Sequence, residues 1–243
     1  MRDAINHIVF GWYPYVCLTV FVLGSILRFD REQYTWKAGS SQLLRRRQLM
    51  WGSNLFHIGV LVIFFGHLIG LLTPIWVFDA IGISHTAKQI LAIVVGGIAG
   101  IAMLVGGLLL AHRRLLDPRI RANSSFADTG ILLILIAQLL LGLATIPISI
   151  GHLDGNEMVR FMNWAQGILL LRPDHWMLVA DAHPIFKAHL FLGMTIFLIF
   201  PFTRLVHVWS APVWYLGRRG YQVVRTRRPI APTSGGRAIE PAE

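Results

Sequence analysis

Long apolar runs separated by short charged segments dominate the chain. Runs of about 20 residues occur near Ile8–Leu27, Gly52–Leu72, Ile90–Ala111, Gly130–Ile150 and Pro184–Val208. A helix rises 1.5 Å per residue, so each run is long enough to cross the roughly 30 Å hydrocarbon core of a bilayer. The pattern predicts an all-α fold, a polytopic membrane bundle of five transmembrane helices.

The chain divides near residue 217. Residues 1–217 contain the five apolar runs and form the predicted transmembrane domain, whereas 218–243 is rich in Arg and then in Pro, Ser and Gly. We expect the second part to be a basic cytoplasmic tail without fixed structure. We expect no cleavable signal peptide, because the first run lacks a basic segment beyond Arg2 and a small-residue cleavage site.

Composition supports a membrane protein. Only 14% of the residues are charged and 55% are apolar, which excludes disorder and disfavours an ordinary soluble domain. Cys17 is the single cysteine, so a disulfide scaffold is excluded. The net charge of +10 does not by itself indicate a nucleic-acid partner in so apolar a chain, and its placement decides its meaning.

The basic residues predict the orientation, because Lys and Arg are enriched in cytoplasmic loops. One set of connections carries Arg31, Lys37, Arg45, Arg46, Arg47, Arg113, Arg114, Arg119, Arg121, Arg218, Arg219, Arg225, Arg227, Arg228 and Arg237. The opposite set carries Arg2, Lys88, Arg160, Arg172 and Lys187. The N-terminus is therefore predicted outside and the C-terminus in the cytoplasm. The same basic charge could also meet anionic membrane lipid or a cytoplasmic partner.

An amphipathic stretch, Glu157–Leu171, lies in the long outer connection between the fourth and fifth runs. Its apolar residues recur at helical spacing, which predicts either a helix along the membrane surface or a lid packed over the bundle. We favour the lid.

Four of the ten histidines fall inside the apolar runs: His57 and His67 in the second, His189 and His207 in the fifth. Ionisable groups within a membrane are costly and usually functional. Two pairs on two helices are the arrangement that bis-imidazole haem requires, with one neutral histidine from each helix at the same depth.

Depth sorts these histidines into pairs. The second run passes from inside to outside and the fifth returns, so His67 and His189 lie near the outer side. His57 and His207 then lie near the cytoplasmic side, and a crossed pairing would require one iron to bridge opposite leaflets.

The position around the helix axis supports part of this pairing. The 18 residues from His189 to His207 are five turns of a continuous helix and would place both on one face. Ten residues leave His57 and His67 about 80° apart, so some tilt is needed, and Pro201 could supply a kink in the fifth helix.

Several motifs resemble the gamma subunit of the respiratory, membrane-bound nitrate reductase, a dihaem cytochrome b family. They are YPY from Tyr13, RFDREQYTWKAGSSQ from Arg28, SNLFHIG from Ser53, FGHLIGLLTP from Phe65, AKQ from Ala87, RRLLDPRIRA from Arg113, TIPIS with HLDG around His152, and HLFLGMTIFLIFPFTRLVHVWSAP from His189. The likeness runs from about Tyr13 to Tyr221.

The resemblance implies two haem b groups, an outer one held by His67 and His189 and an inner one held by His57 and His207. It implies quinol oxidation at the outer side of a bacterial or archaeal cytoplasmic membrane, with menaquinol or ubiquinol as donor. It also implies partners on the cytoplasmic side, an iron–sulfur beta subunit and a molybdenum-containing alpha subunit that reduces nitrate in anaerobic respiration.

Lys88 and Gly66 match positions that the family associates with the quinol site. An ammonium near the outer end of the third run could donate a hydrogen bond to a quinone oxygen. From the residues alone, a plain interfacial lysine anchor is the favoured explanation for Lys88, and only the resemblance favours the quinol site. Ordinary helix packing explains Gly66 at least as well.

Three other functions are consistent with the residues. A related cytochrome b could serve another terminal reductase, and only the partner would distinguish it. The four histidines could form the proton relay of a transporter, which would bind no haem. A pure membrane anchor would tolerate their replacement and gives no reason for their matched depths.

Overall fold

The structure is a computed structural model that describes residues 1–36, 43–211 and 217, and nothing is described of the side chain at position 35. One compact unit comprises Met1–Trp209. The predicted cytoplasmic tail, 218–243, lies outside the described residues, as does Lys37 of the first basic loop.

Within the described residues, five helices are long and apolar enough to cross a membrane: Arg2–Arg31, Arg46–Leu72, His85–Leu116, Phe126–Ile150 and Pro184–Phe202. They are called the first to fifth spans. The described chain is helical and contains no strand, so the all-α fold and the five spans are confirmed. The predicted orientation stays a prediction.

The third and fourth spans start before their apolar runs, at polar residues that cap the helices. Ser84 accepts a hydrogen bond from the Ala87 amide at the start of the third span. Ser125 and Asp128 form a reciprocal capping box at the start of the fourth. These side chains satisfy amide groups that a helix start leaves unpaired.

Consecutive spans run in opposite directions, which gives the bundle two ends. We call the end with Met1, Leu72, His85, Ile150 and Pro184 the lid end, and the opposite end, with Arg31 and Arg46, the basic end.

Glycines let the second and third spans approach closely. A Cβ built on Gly59 would lie 2.7 Å from the Ala99 carbonyl oxygen, and one built on Gly106 would lie 2.7 Å from the Gly52 carbonyl oxygen. Small residues allow backbones to pack in this way without a side chain between them. Gly59 is therefore a packing residue.

The amphipathic stretch forms a helix, Asn156–Leu169, that packs over the lid end and is called the lid helix. Its Trp164 is buried and donates from Nε1 to the Phe10 carbonyl at 3.1 Å. Gln166 donates to the carbonyls of Leu71 at 3.0 Å and Thr73 at 3.3 Å, where the second span ends. These bonds to two spans support a lid over the bundle rather than a helix along the membrane surface.

The fifth span is not one continuous helix. The α-helix Pro184–Ile199 continues as a 3₁₀ turn, Phe200–Phe202, and Thr203 is extended at φ −118° and ψ 178°. A second 3₁₀ segment, Arg204–Ser210, carries His207. The predicted helix Pro184–Val208 is therefore wrong beyond residue 202, because Pro201 lacks an amide hydrogen and clashes with the preceding turn.

Arg28 of the first span binds the carbonyls at this break. Its Nη1 donates to the Pro201 carbonyl at 2.5 Å and to the Thr203 carbonyl at 2.9 Å. Interrupted helices at membrane depth persist where neighbouring groups bind the freed backbone, and Arg28 does so here.

At the basic end, Asp117 joins two connections. It accepts from the amides of Arg119 and Ile120, and lies 2.7 Å from Arg45. Partial desolvation would raise the pKa of this carboxyl, but the two amides and the Arg45 guanidinium outweigh it and hold the pKa below its usual value.

Candidate functional site

The four histidines that the sequence placed in the apolar runs lie in two pairs: His67 and His189 join the second and fifth spans, whereas His57 of the second span faces His207, which lies beyond the end of the fifth span at Phe202. The ring centres of His57 and His207 are 6.4 Å apart with an interplanar angle of 66°. Those of His67 and His189 are 6.2 Å apart with an interplanar angle of 43°. These are the pairs that matched depth predicts, and their role as haem ligands stays a prediction.

His189 and His207 reach these positions in a way that differs in part from the sequence prediction. His189 lies on the α-helical part of the fifth span, whereas His207 lies on the 3₁₀ segment after the break at Pro201. The interpretation that five α-helical turns place both on one face is therefore wrong. The turn at Thr203, held by Arg28, is what directs His207 towards His57.

Each histidine has a backbone carbonyl at Nδ1. The acceptor is Ser53 O for His57 at 2.7 Å, Ile63 O for His67 at 2.8 Å, Gln138 O for His189 at 3.2 Å and Arg204 O for His207 at 2.5 Å. A carbonyl only accepts hydrogen bonds, so each Nδ1 carries a proton, and the neutral form of such a ring has its lone pair at Nε2, where a ligand can bind. This is the usual arrangement of histidines that bind metals.

The spacing of both pairs fits an iron between them. With about 2 Å from a metal to each imidazole nitrogen, and roughly 1 Å more to each ring centre, two axial ligands place their ring centres roughly 6 Å apart. Among the described residues there is no group of three or more His, Cys, Asp or Glu side chains that could hold a metal. Each pair presents two imidazoles, which is the donor set that would hold a haem b, so the residues present fit that group.

Lys88 is buried near the lid end, with only 7% of its surface exposed. Its Nζ donates to the Gly70 carbonyl at 3.0 Å, lies 2.8 Å from the sulfur of Met162 and is 3.7 Å from the centre of the Phe78 ring. A lysine that anchors a helix at the interface keeps its ammonium in water. The burial of this ammonium therefore disfavours the plain anchor.

Gly66 lies one helical turn before Gly70, where Lys88 contacts the second span. A Cβ built on Gly66 or on Gly70 would meet no atom within 4 Å. Among the described residues, close packing against another helix therefore does not explain either glycine.

The sequence analysis missed several residues around the histidines and Lys88. Met162 and Phe78 contact Lys88, and Gln138 and Gly142 of the fourth span contact His189. Gln138 could have been found, because a lone amide stands in the apolar run LLILIAQLLLGLAT. Met162 and Phe78 are ordinary apolar residues whose nearness to Lys88 only the fold reveals.

The chain is similar to known proteins over most of its length. The family described as nitrate reductase gamma subunit matches residues 6–227. The chain belongs to the nitrate reductase gamma subunit family.

Gamma chains of nitrate reductases are similar to this chain over most of its length. The respiratory nitrate reductase 2 gamma chain of Escherichia coli is 53% identical over 94% of this chain and 100% of its own length. The respiratory nitrate reductase 1 gamma chain of the same organism is 48% identical over 92% of this chain and 98% of its own. The nitrate reductase gamma chain of Bacillus subtilis is 40% identical over 91% and 99%.

Family membership and the five spans agree. This nitrate reductase gamma subunit is a multi-pass membrane protein, the membrane subunit of an oxidoreductase complex. The resemblance stated from the motifs is confirmed.

Proposed function

We propose that the chain is the membrane dihaem b subunit of a respiratory nitrate reductase. In this proposal it oxidises menaquinol or ubiquinol on the outer side and passes electrons through two b haems to a cytoplasmic iron–sulfur subunit. The observation that supports it best is the presence of two histidine pairs, 6.4 and 6.2 Å between ring centres, each with Nδ1 bound to a carbonyl.

Haem bound at each pair supplies reversible one-electron transfer. His67 and His189 would hold the outer haem, near the lid end, and His57 and His207 the inner haem, near the basic end. The carbonyl at each Nδ1 fixes the ring orientation and increases the basicity of Nε2.

The lid end would bind quinol through Lys88. Its ammonium has three donors, and a quinol oxygen is a better acceptor than the Met162 sulfur that one of them meets here. The positive charge stabilises negative charge on that oxygen as its proton leaves. Release of protons outside, with electrons moving inward, makes the step electrogenic.

The basic end would face the cytoplasmic partners. Cys17 is the single cysteine of the chain and is buried, so the chain has no set of thiolates for an iron–sulfur cluster. An iron–sulfur beta subunit and a molybdenum-containing alpha subunit must then perform the terminal chemistry. The gamma chains of nitrate reductases that it resembles support these partners over those of another terminal reductase.

The geometry disfavours a histidine proton relay. A relay needs each ring to accept a proton at one nitrogen and release one from the other to a group that can pass it on. In all four histidines Nδ1 faces a backbone carbonyl, which does not exchange protons in this way.

The test compares two electron donors to the complete enzyme complex that contains this chain. We expect quinol-driven nitrate reduction to be lost when His67 or His57 is replaced by Ala. Nitrate reduction driven by a soluble artificial donor, which reduces the partner subunits directly, is expected to persist. Undiminished quinol-driven activity in either variant would contradict the proposal.

A further inference from the structure

His189 differs from the other three histidines in the position of the carbonyl to which its Nδ1 donates. His57 and His67 donate to carbonyls one turn earlier on their own helix, and His207 donates to Arg204 on its own segment. The Nδ1 of His189 instead donates to the Gln138 carbonyl on the fourth span, at 3.2 Å. The orientation of this ring therefore depends on two spans.

Gly142 makes the Gln138 carbonyl accessible. Gly142 lies one helical turn after Gln138. A side chain at position 142 would therefore stand beside the main-chain carbonyl of Gln138 and block the approach of the His189 ring. A Cβ built at this position would lie 3.0 Å from Cε1, 3.6 Å from Nδ1 and 3.7 Å from Nε2 of His189. Three atoms of the imidazole thus lie against Gly142, and any side chain there would displace the ring.

The side chain of Gln138 adds a second connection to the same ligand. Its Nε2 donates to the main-chain carbonyl of His189 at 3.1 Å. Gly193, one turn after His189, provides the space for this amide, because a Cβ there would lie 3.2 Å from the Gln138 Nε2. The main-chain carbonyl of Gln138 therefore binds the His189 ring, and its side-chain amide binds the His189 backbone and also lies 3.5 Å from Nε2 of the ring.

We propose that Gln138 and Gly142 of the fourth span are positioning residues for His189 and set the angle of its ring at the outer haem. This inference rests on the proposed function, since it concerns a haem ligand. The relative angle of two axial imidazoles and the hydrogen bond at Nδ1 both affect the electronic structure of the iron. The inner haem, whose ligands make no such contact with Gln138 or Gly142, is an internal control.

The test is Gly142→Ala in the complete enzyme complex, with Gly130→Ala as the matched control. Gly130 lies on the same span, and a Cβ there would meet no atom within 4 Å. We expect Gly142→Ala to shift the electron paramagnetic resonance line and the midpoint potential of the outer haem and to leave those of the inner haem unchanged. Gly130→Ala should leave both haems as in the unmodified complex. A His67→Ala complex identifies which signal belongs to the outer haem.

A second variant covers the case in which Gly142→Ala does not assemble. Gln138→Leu keeps the main-chain carbonyl but removes the amide that binds His189, so we expect a smaller shift of the same haem. Outer-haem signals that stay unchanged in both variants, or in Gln138→Leu when it alone assembles, would overturn the inference. If the unmodified complex contained no haem, the proposed function would fail as well, so the two failures are distinguishable.

Discussion

At the residue scale, one interaction defines the candidate site: a backbone carbonyl at the Nδ1 of each of the four paired histidines. It places a proton on Nδ1, so that Nε2 is the ring nitrogen left for a ligand. Two such rings with about 6 Å between their centres are suited to axial ligation of one iron.

Single replacements of the four histidines should remove haem in pairs. We expect His67→Ala and His189→Ala to lose the outer haem and keep the inner one, because each removes an axial ligand from the same iron. His57→Ala and His207→Ala should lose the inner haem. Low-temperature absorbance spectra of the purified complexes would distinguish the two, and identical spectra from all four variants would contradict the pairing.

Replacing Lys88 should affect quinol and not haem. A hydrogen bond to a charged group contributes about 1.5 to 3 kcal/mol, so Lys88→Ala should lower kcat/KM for quinol about 10- to 100-fold. Lys187→Ala is the control, since that lysine also lies at the lid end but binds Asn6 and Ala180. If Lys88→Ala kept its haem content and had the same quinol kinetics as the unmodified complex, the role of Lys88 would be structural only.

The sequence predicts the histidine pairs because depth is a linear property of a membrane helix. It does not predict Gln138 and Gly142 as neighbours of His189, since their contact depends on how the fourth and fifth spans pack. The contact between Met162 and Lys88 cannot be predicted from the sequence for the same reason. Met162 falls on the apolar side of an amphipathic stretch, and only the docking of the lid helix brings its sulfur to Lys88.

At the element scale, the break in the fifth span is the main departure from the sequence prediction. In the sequence, Pro201 predicts a kink at the position where the fifth helix is interrupted. It does not predict that the chain continues as a 3₁₀ segment. That outcome depends on Arg28, which belongs to another span and binds the freed carbonyls.

Arg28→Gln should therefore disturb the inner haem selectively. Removal of the guanidinium leaves the Pro201 and Thr203 carbonyls without this donor, which costs about 1 to 3 kcal/mol at the segment that carries His207. We expect a lower occupancy or a shifted potential of the inner haem, measured by redox titration. Arg31→Gln is the control, because Arg31 is exposed and pairs with the exposed Asp30. An equal effect of both variants would refute a specific role for Arg28.

Close packing of the second and third spans provides a test that is independent of haem. A leucine at Gly106 would clash with the backbone of the second span near Gly52 and destabilise the bundle by about 1 to 3 kcal/mol or more. Gly96→Leu, on the same span, is the control because a Cβ there meets no atom within 4 Å. We expect a lower Tm for Gly106→Leu alone, and equal Tm values would show that this packing is wrong.

At the scale of the whole molecule, hydropathy alone is sufficient to predict five spans, because a bilayer requires uninterrupted apolar length. The third and fourth spans are longer than their apolar runs because Ser84 and Ser125 begin these helices outside the runs. The bias of Lys and Arg predicts which end faces the cytoplasm, and the lid end is then the side where quinol would bind.

Two haems are proposed in this chain, one between the second and fifth spans and one between the second span and the 3₁₀ segment that carries His207. The most direct measurement is the dithionite-reduced minus oxidised spectrum of the purified complex, with a pyridine haemochrome count per copy of this chain. The account predicts about two b haems, one for each histidine pair. A folded preparation, made with an adequate supply of haem, that contained none would contradict it.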